Sequence, residues 1–244
     1  MDIVLVFFVG VLTSFYGAMV GGGGLVTIPF LIFMGLPPQV AIATNKLGSI
    51  GQLGSAFVKY ARSGKVQWKL IAPFLVIAVF TGVVGARILL SINEALLSRI
   101  IAVVLLGILI LVITKKKIGL EHREVGKVRK SIGYVCYTLS MTWGSFFGGG
   151  FGVFVSYTLI YLFGLTMNES AATSKFPSFI MGIVASVVYA LSGVIHYPYA
   201  ISIFCGMILG GYFGAGFALK KGDGVVKSVF VVVVVASAIK LLLS

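Results

Sequence analysis

Residues 43–64 read ATNKLGSIGQLGSAFVKYARSG, and residues 172–193 read ATSKFPSFIMGIVASVVYALSG. Laid over each other with a shift of 129 residues and no gap, they are identical at ten of 22 positions, including Thr44 with Thr173, Lys46 with Lys175, Ser49 with Ser178 and Tyr60 with Tyr189. The same shift places Gly21, Gly23, Gly35, Gly82 and Gly85 on Gly150, Gly152, Gly164, Gly211 and Gly214. Chance likeness between apolar segments yields scattered Leu and Val matches, whereas shared Gly, Lys, Tyr and Ser at one fixed offset mark an internal repeat.

The composition around this repeat is that of a bilayer protein. Of 244 residues, 59% are hydrophobic and only 10% charged, with a mean hydropathy of +1.12, against about 25% charged residues in an ordinary soluble domain. Apolar runs lie near 3–20, 22–34, 41–60, 70–90 and 96–114, and again near 132–147, 150–163, 169–190, 198–218 and 225–243. Without strand alternation, a chain this apolar must satisfy its backbone hydrogen bonds inside each segment, which only a helix does. The reading is an all-α polytopic membrane protein. Two inverted-topology repeats of about five segments each, 1–114 and 132–244, flank a basic connector at 115–131.

The net charge of +13 does not point to nucleic acid. Fourteen of the 19 Lys and Arg residues fall in three short stretches, 59–69, 115–130 and 220–227, which separate apolar runs and so act as cytoplasmic loop signals. Lys59, Arg62, Lys65 and Lys69 have only His196 opposite them in the other repeat. Conversely, the connection holding Glu94 lacks basic residues, while its equivalent holds Lys220, Lys221 and Lys227. Equivalent loops on opposite sides require an odd number of crossings per repeat and an inverted topology. Both termini are then outside, in a multi-pass protein of the cell membrane. The N-terminus lacks the basic region and cleavage site of a secretory signal. Cys136 and Cys205 lie in apolar runs as packing residues.

The run at 22–34 rises about 20 Å as a helix, short of a hydrocarbon core of about 30 Å. Irregular backbone at Gly21, Gly22, Gly23 and Gly24, and at Gly148, Gly149 and Gly150, is therefore expected at depth, where it is tolerated only against protein or a wet cavity. Neither run ends in the Gly-Lys-Ser/Thr of a phosphate loop. Lys46 and Lys175 are costly inside a bilayer, about 2.5–3.5 kcal/mol each at a helix centre; they either contact an anion or snorkel from helix ends. Thr44, Asn45, Thr173 and Ser174 add polar groups beside them, which suits an oxoanion. Asn45, Ser49 and Gln52 share one helical face, as a polar path or as interhelical glue, with Ser178 the partner of Ser49. Glu169, matched by Val40, is no symmetric proton relay, and His122 and His196 sit in loops. No cofactor, metal cluster or nucleophile with a base is expected, so an intramembrane enzyme is disfavoured.

The paired motifs, a glycine break and Ala-Thr-Asn-Lys in one copy, Gly-Gly-Gly-Phe-Gly and Ala-Ala-Thr-Ser-Lys in the other, resemble those of the sulfite exporter TauE/SafE family, from about residue 5 to 240. The resemblance implies a plasma-membrane permease for sulfite, sulfonates or related sulfur-containing anions. On it, Asn45, Lys46, Ser174 and Lys175 are carried over as anion contacts, with the change from Asn45 to Ser174 making the two half-sites unlike. The expected mechanism is alternating access, one half rocking on the other around a positively charged midplane site. An anion channel over the same lysines and a non-transporting scaffold are the alternatives; the oligomeric state is not readable.

Overall fold

The computed structural model describes residues 2–21, 23–93, 96–97 and 122–242, with side chains described as far as Gly222 except for Val20. Among the described residues the chain is helical and contains no strand: α1 (Asp2–Val20), α2 (Gly24–Phe33), α3 (Pro38–Ala61), α4 (Trp68–Ser91), α5 (Lys127–Phe146), α6 (Phe151–Phe163), α7 (Met167–Leu191) and α8 (Tyr197–Leu242). The expected segment 96–114 beyond residue 97, Glu94, Gly22 and the first part of the connector lie outside the described residues. The apolar runs at 198–218 and 225–243 form one helical element, broken by Gly222 at φ 78°, ψ 177°.

Among the described residues, four helices are long and apolar enough to cross a bilayer: Asp2–Met19, Trp68–Ser91, Met167–Leu191 and Tyr197–Gly222. Their outer faces carry bare apolar side chains, among them Leu12, Val76, Leu191 and Phe213, each more than half exposed. Such an apolar surface suits lipid and not water. Cys205 is on this exposed face instead of packed inside, and Cys136 is half-buried.

The short helices turn back along the helices that precede them. A 10-residue α2 and a 13-residue α6 rise about 15 and 20 Å. Thr27 Oγ1 donates to Thr13 Oγ1 at 3.1 Å, so α2 returns along α1. A methyl on Gly144 would meet the Phe151 ring at 2.6 Å and one on Gly133 the Phe163 ring at 2.6 Å, so α6 returns along the whole of α5. Each break is made by glycine in the left-handed region: Gly21 (φ 85°) in one, Gly148 (φ 81°) and Gly150 (φ 70°) in the other, where a Cβ is strained.

Helix packing crosses the repeat boundary. The most extensive contact is between α1 and α8, followed by α3 with α8 and α4 with α7; α3 packs on α7 as extensively as α4 packs on α5. Glycines bring these backbones together: a Cβ on Gly51 would lie 2.6 Å from Phe204 O, one on Gly85 2.7 Å from Thr142 O, and one on Gly214 against Phe15 O. Close approach through small residues is how helices associate where lipid removes the hydrophobic drive.

Candidate functional site

Where the two breaks meet, a cavity of about 30 Å³ lies between α3 and α7, room for about two waters at roughly 10–15 Å³ each. Gly21 of one break abuts Gly152 behind the other, so closely that a Cβ on Gly21 would overlap Gly152 Cα. A Cβ on Gly24 would stand 3.3 Å from both Gly148 O and Asn45 Nδ2. Only glycine allows both turns to reach the cavity wall.

The lysines enter from α3 and α7, each eight residues beyond the first residue of its helix, and are 2% and 4% exposed. This depth rules out the snorkelling alternative. Lys46 Nζ donates to Gly144 O near the end of α5 and stands 5.7 Å from the centre of the Phe151 ring. Lys175 Nζ donates to Gly17 O, in the last turn of α1, at 3.5 Å. An ammonium offers three donors, so each keeps capacity for a ligand. No acidic side chain is among the described residues lining the cavity.

Two further pairs of bonds repeat this arrangement. Tyr60 O–H donates to Ala18 O at 3.4 Å and its equivalent Tyr189 to Ser145 O at 2.8 Å. The amide of His196 donates to Thr44 Oγ1 at 3.0 Å, and that of Gln67 to Thr173 Oγ1 at 3.0 Å. Thr44 and Thr173, expected beside the anion, are thus turned to the loops that precede α8 and α4, and neither lines the cavity.

Asn45, Lys46, Ser49, Ser174, Lys175 and Ser178 are brought together at the cavity with Gly21, Gly23, Gly24 and Gly148. Gly149 and Gly150 shape the break without lining the cavity, and Gly22 is outside the described residues. Gln52 joins the wall, as its place on the Asn45 face allows. Asn45 is 4% exposed and its Oδ1 has no hydrogen-bond partner, while Ser49 Oγ donates to Lys46 O at 2.8 Å and Ser174 Oγ to Ala171 O at 3.1 Å. The carbonyls of Gly17 and Gly144 were not anticipated: they match at a shift of 127, not 129, because the two breaks differ in length. Phe151 and Ser156 also line the cavity; Phe151 follows the glycine run, and Ser156 carries no local signal.

Neither short helix has a side-chain cap at its N-terminus. Their first amides and positive dipole ends lie at the breaks, where they favour negative charge. Two uncapped helix starts and two buried ammoniums around one space make an electropositive chamber.

Away from it, Glu169 gathers three segments. Its carboxylate accepts from Thr166 N at 2.9 Å in a capping box and from Gln67 Nε2 at 3.2 Å, and pairs with His122 Nδ1 at 2.8 Å. His122 is therefore not simply solvated, and His196 is half-buried against Tyr199.

A bundle of apolar helices with paired re-entrant breaks at a charged internal chamber defines a multi-pass membrane protein of transporter type. The chain belongs to the TauE/SafE sulfite exporter family, whose model matches residues 6–241. It is similar to a probable membrane transporter protein of Haemophilus influenzae, 30% identical with 93% of this chain and 89% of the relative covered. It also resembles the probable membrane transporter proteins ORF9 of Sinorhizobium, 28% identical over 95% and 88%, and YfcA of Escherichia coli K12, 25% identical over 98% and 88%. No solved structure matches.

Proposed function

We propose that this protein is a secondary permease, not an enzyme, that moves sulfite, a sulfonate or a related small sulfur-containing anion across the cell membrane by alternating access. The observation that carries this reading is the pair of buried ammoniums, Lys46 and Lys175, facing one cavity with no described carboxylate in its wall. An unpaired buried ammonium costs several kcal/mol, and an anion between the two removes that cost from both. Asn45 Nδ2, Ser49, Ser174 and Ser178 then supply short-range polar contacts, and the glycine breaks their backbone amides.

The sulfur chemistry comes from the family. An inverted relation between the repeats, residues 1–114 and 132–244 about the connector 115–131, is supported by the paired lysine, tyrosine and threonine bonds. The Gln67 loop is tied near the start of α7 and the His196 loop near the start of α3, as antiparallel equivalents require. With the basic loops inside, both termini are outside. A cavity sized for about two waters favours a carrier caught closed over a channel with a continuous wet path.

The test is uptake of labelled sulfite, sulfate and a small sulfonate into proteoliposomes. Saturable uptake of at least one anion, lost when both lysines become alanine, is the expected result. Equal uptake by folded wild type and the double variant would defeat the reading.

A further inference from the structure

We propose that the bodies moving against each other during transport are not the two sequence repeats but two exchanged bundles, α1–α3 with α8 and α4–α7, latched by Lys46 and Lys175 until an anion draws their ammoniums away. The inference rests on the anion-carrier reading and adds what moves and what releases it.

The bundles are defined by which helices touch closely. Within the first, α8 lies on α1 and α3 through glycines: a Cβ on Gly51 or Gly211 would stand 2.6 Å from Phe204 O or 2.7 Å from Gln52 O. Ser14 Oγ donates to Met207 O at 2.7 Å and Ser202 Oγ to Ile3 O at 2.6 Å. Within the second, α4 lies on α5 and α7 in the same manner: a Cβ on Gly85 would stand 2.7 Å from Thr142 O and one on Gly82 3.2 Å from Met181 O, and Ser145 Oγ donates to Gly82 O at 2.9 Å. The Thr44–His196 bond binds the approach to α8 into the first bundle, and the Thr173–Gln67 and Glu169–Gln67 bonds bind the approach to α4 into the second. Helices meshed backbone to backbone with polar pins move as one body.

The boundary between the bundles is built differently. Where α3 faces α7 the packing is as extensive as that of α4 on α5, but side chains make it: the Phe57 and Phe176 rings stack at 4.6 Å, a Cβ on Gly54 would meet the Phe179 ring at 2.9 Å, and one on Gly182 would find Ile50 at 3.5 Å. Close backbone contact across this boundary occurs at the glycine breaks, where Gly21 meets Gly152 beside the cavity, the place for a fulcrum. The crossings from α3 to α4 and from α7 to α8 contain the equivalent glycines Gly64 (φ 71°) and Gly193 (φ 69°), neither with a neighbour in Cβ reach. Glycine in an open turn is a hinge that absorbs backbone rotation.

Both lysines bridge this boundary. Lys46 on α3 holds Gly144 O of α5, and Lys175 on α7 holds Gly17 O of α1; Gln39 of α3 adds a third tie to Leu89 O and Ile92 O of α4, at 3.0 and 2.7 Å. A bond from an ammonium to an anion is stronger than one to a neutral carbonyl, so a ligand in the cavity competes for the donors that hold the bundles shut. That gives the ligand the differential affinity between states that any ligand-driven change requires.

The experiment is pulsed electron–electron distance measurement on full-length protein in lipid nanodiscs, in a Cys136→Ser, Cys205→Ser background. One spin-label pair, Leu12→Cys with Phe213→Cys, lies within a bundle but across the repeats; the other, Leu12→Cys with Val76→Cys, lies within a repeat but across the bundles. The expected result is one narrow distance for the first pair and two populations for the second, redistributed by sulfite or sulfate and by Lys46→Ala with Lys175→Ala. The reverse pattern, or single narrow distances in both pairs under all conditions, overturns the exchanged bundles. Two populations that ignore both anions and the lysine substitutions overturn the latch. If they ignore the anions but shift with the substitutions, the latch stands and the anion reading of the cavity fails.

Discussion

Lys46 and Lys175 occupy the same step of equivalent helices, yet their surroundings differ. Lys46 is held by Gly144 O, faces the Phe151 ring and is preceded by Asn45 with an unpartnered Oδ1. Lys175 reaches Gly17 O at 3.5 Å and is preceded by Ser174, whose hydroxyl is already used on Ala171 O. What the repeat has kept is the ammonium and the backbone carbonyl it holds; what has diverged is the neighbour that would tell one ligand from another. On the proposed anion reading, the comparison separates a charge shared by both halves from polar neighbours that differ between them.

The largest effect follows from breaking the shared part. Lys46→Ala or Lys175→Ala removes a charged donor worth about 1.5–3 kcal/mol, so anion uptake in proteoliposomes falls about ten- to a hundredfold in either variant. Next come the breaks, which sharpen the contrast between the halves. Gly21→Ala strains a φ of 85° and drives a methyl into Gly152, whereas a methyl on Gly148, at φ 81°, meets the movable tip of Lys46 at 3.0 Å. Both lose about 1–3 kcal/mol to the backbone, and Gly21→Ala shows the larger fall in melting temperature. Smaller is Glu169→Gln, which weakens a capping box worth about 1 kcal/mol and the bond to His122; Val40→Ala at the equivalent position leaves the unfolding free energy within about 0.5 kcal/mol of wild type, as a site without a cap should. Smallest is Asn45→Ser, which makes the halves alike: KM for the preferred anion rises severalfold while kcat changes less, the pattern of lost uniform binding.

Much of this architecture could be read from residues. The fixed offset between the two Ala-Thr-x-Lys segments located the lysines, and a 13-residue apolar run too short to span a bilayer pointed to irregular backbone beside it, leaving open whether the run crosses or folds back. The limits of α3 and α7 agreed because Arg62-Ser63-Gly64-Lys65 and Ser192-Gly193 end their apolar runs, whereas the runs at 198–218 and 225–243 form one helical element. Less legible was anything that depends on which helices touch. Thr44 and Thr173 look like ligand donors in sequence, but a threonine two residues before a lysine points to roughly the opposite side of a helix, two steps of about 100°, and both face loops instead. The acceptors Gly17 and Gly144 were hidden by the unequal length of the breaks. The capping box of Thr166 and Glu169 was not anticipated, nor were its partners Gln67 and His122, which come from distant segments.

The central claim, that the two lysines hold one anion between them, is tested most directly by calorimetric titration of sulfite and sulfate into purified protein, beside the Lys46→Ala, Lys175→Ala double variant. The account predicts saturable binding of one anion per chain by wild type, and none by a double variant that still melts cooperatively. Undiminished binding by that variant would contradict it and place the anion elsewhere.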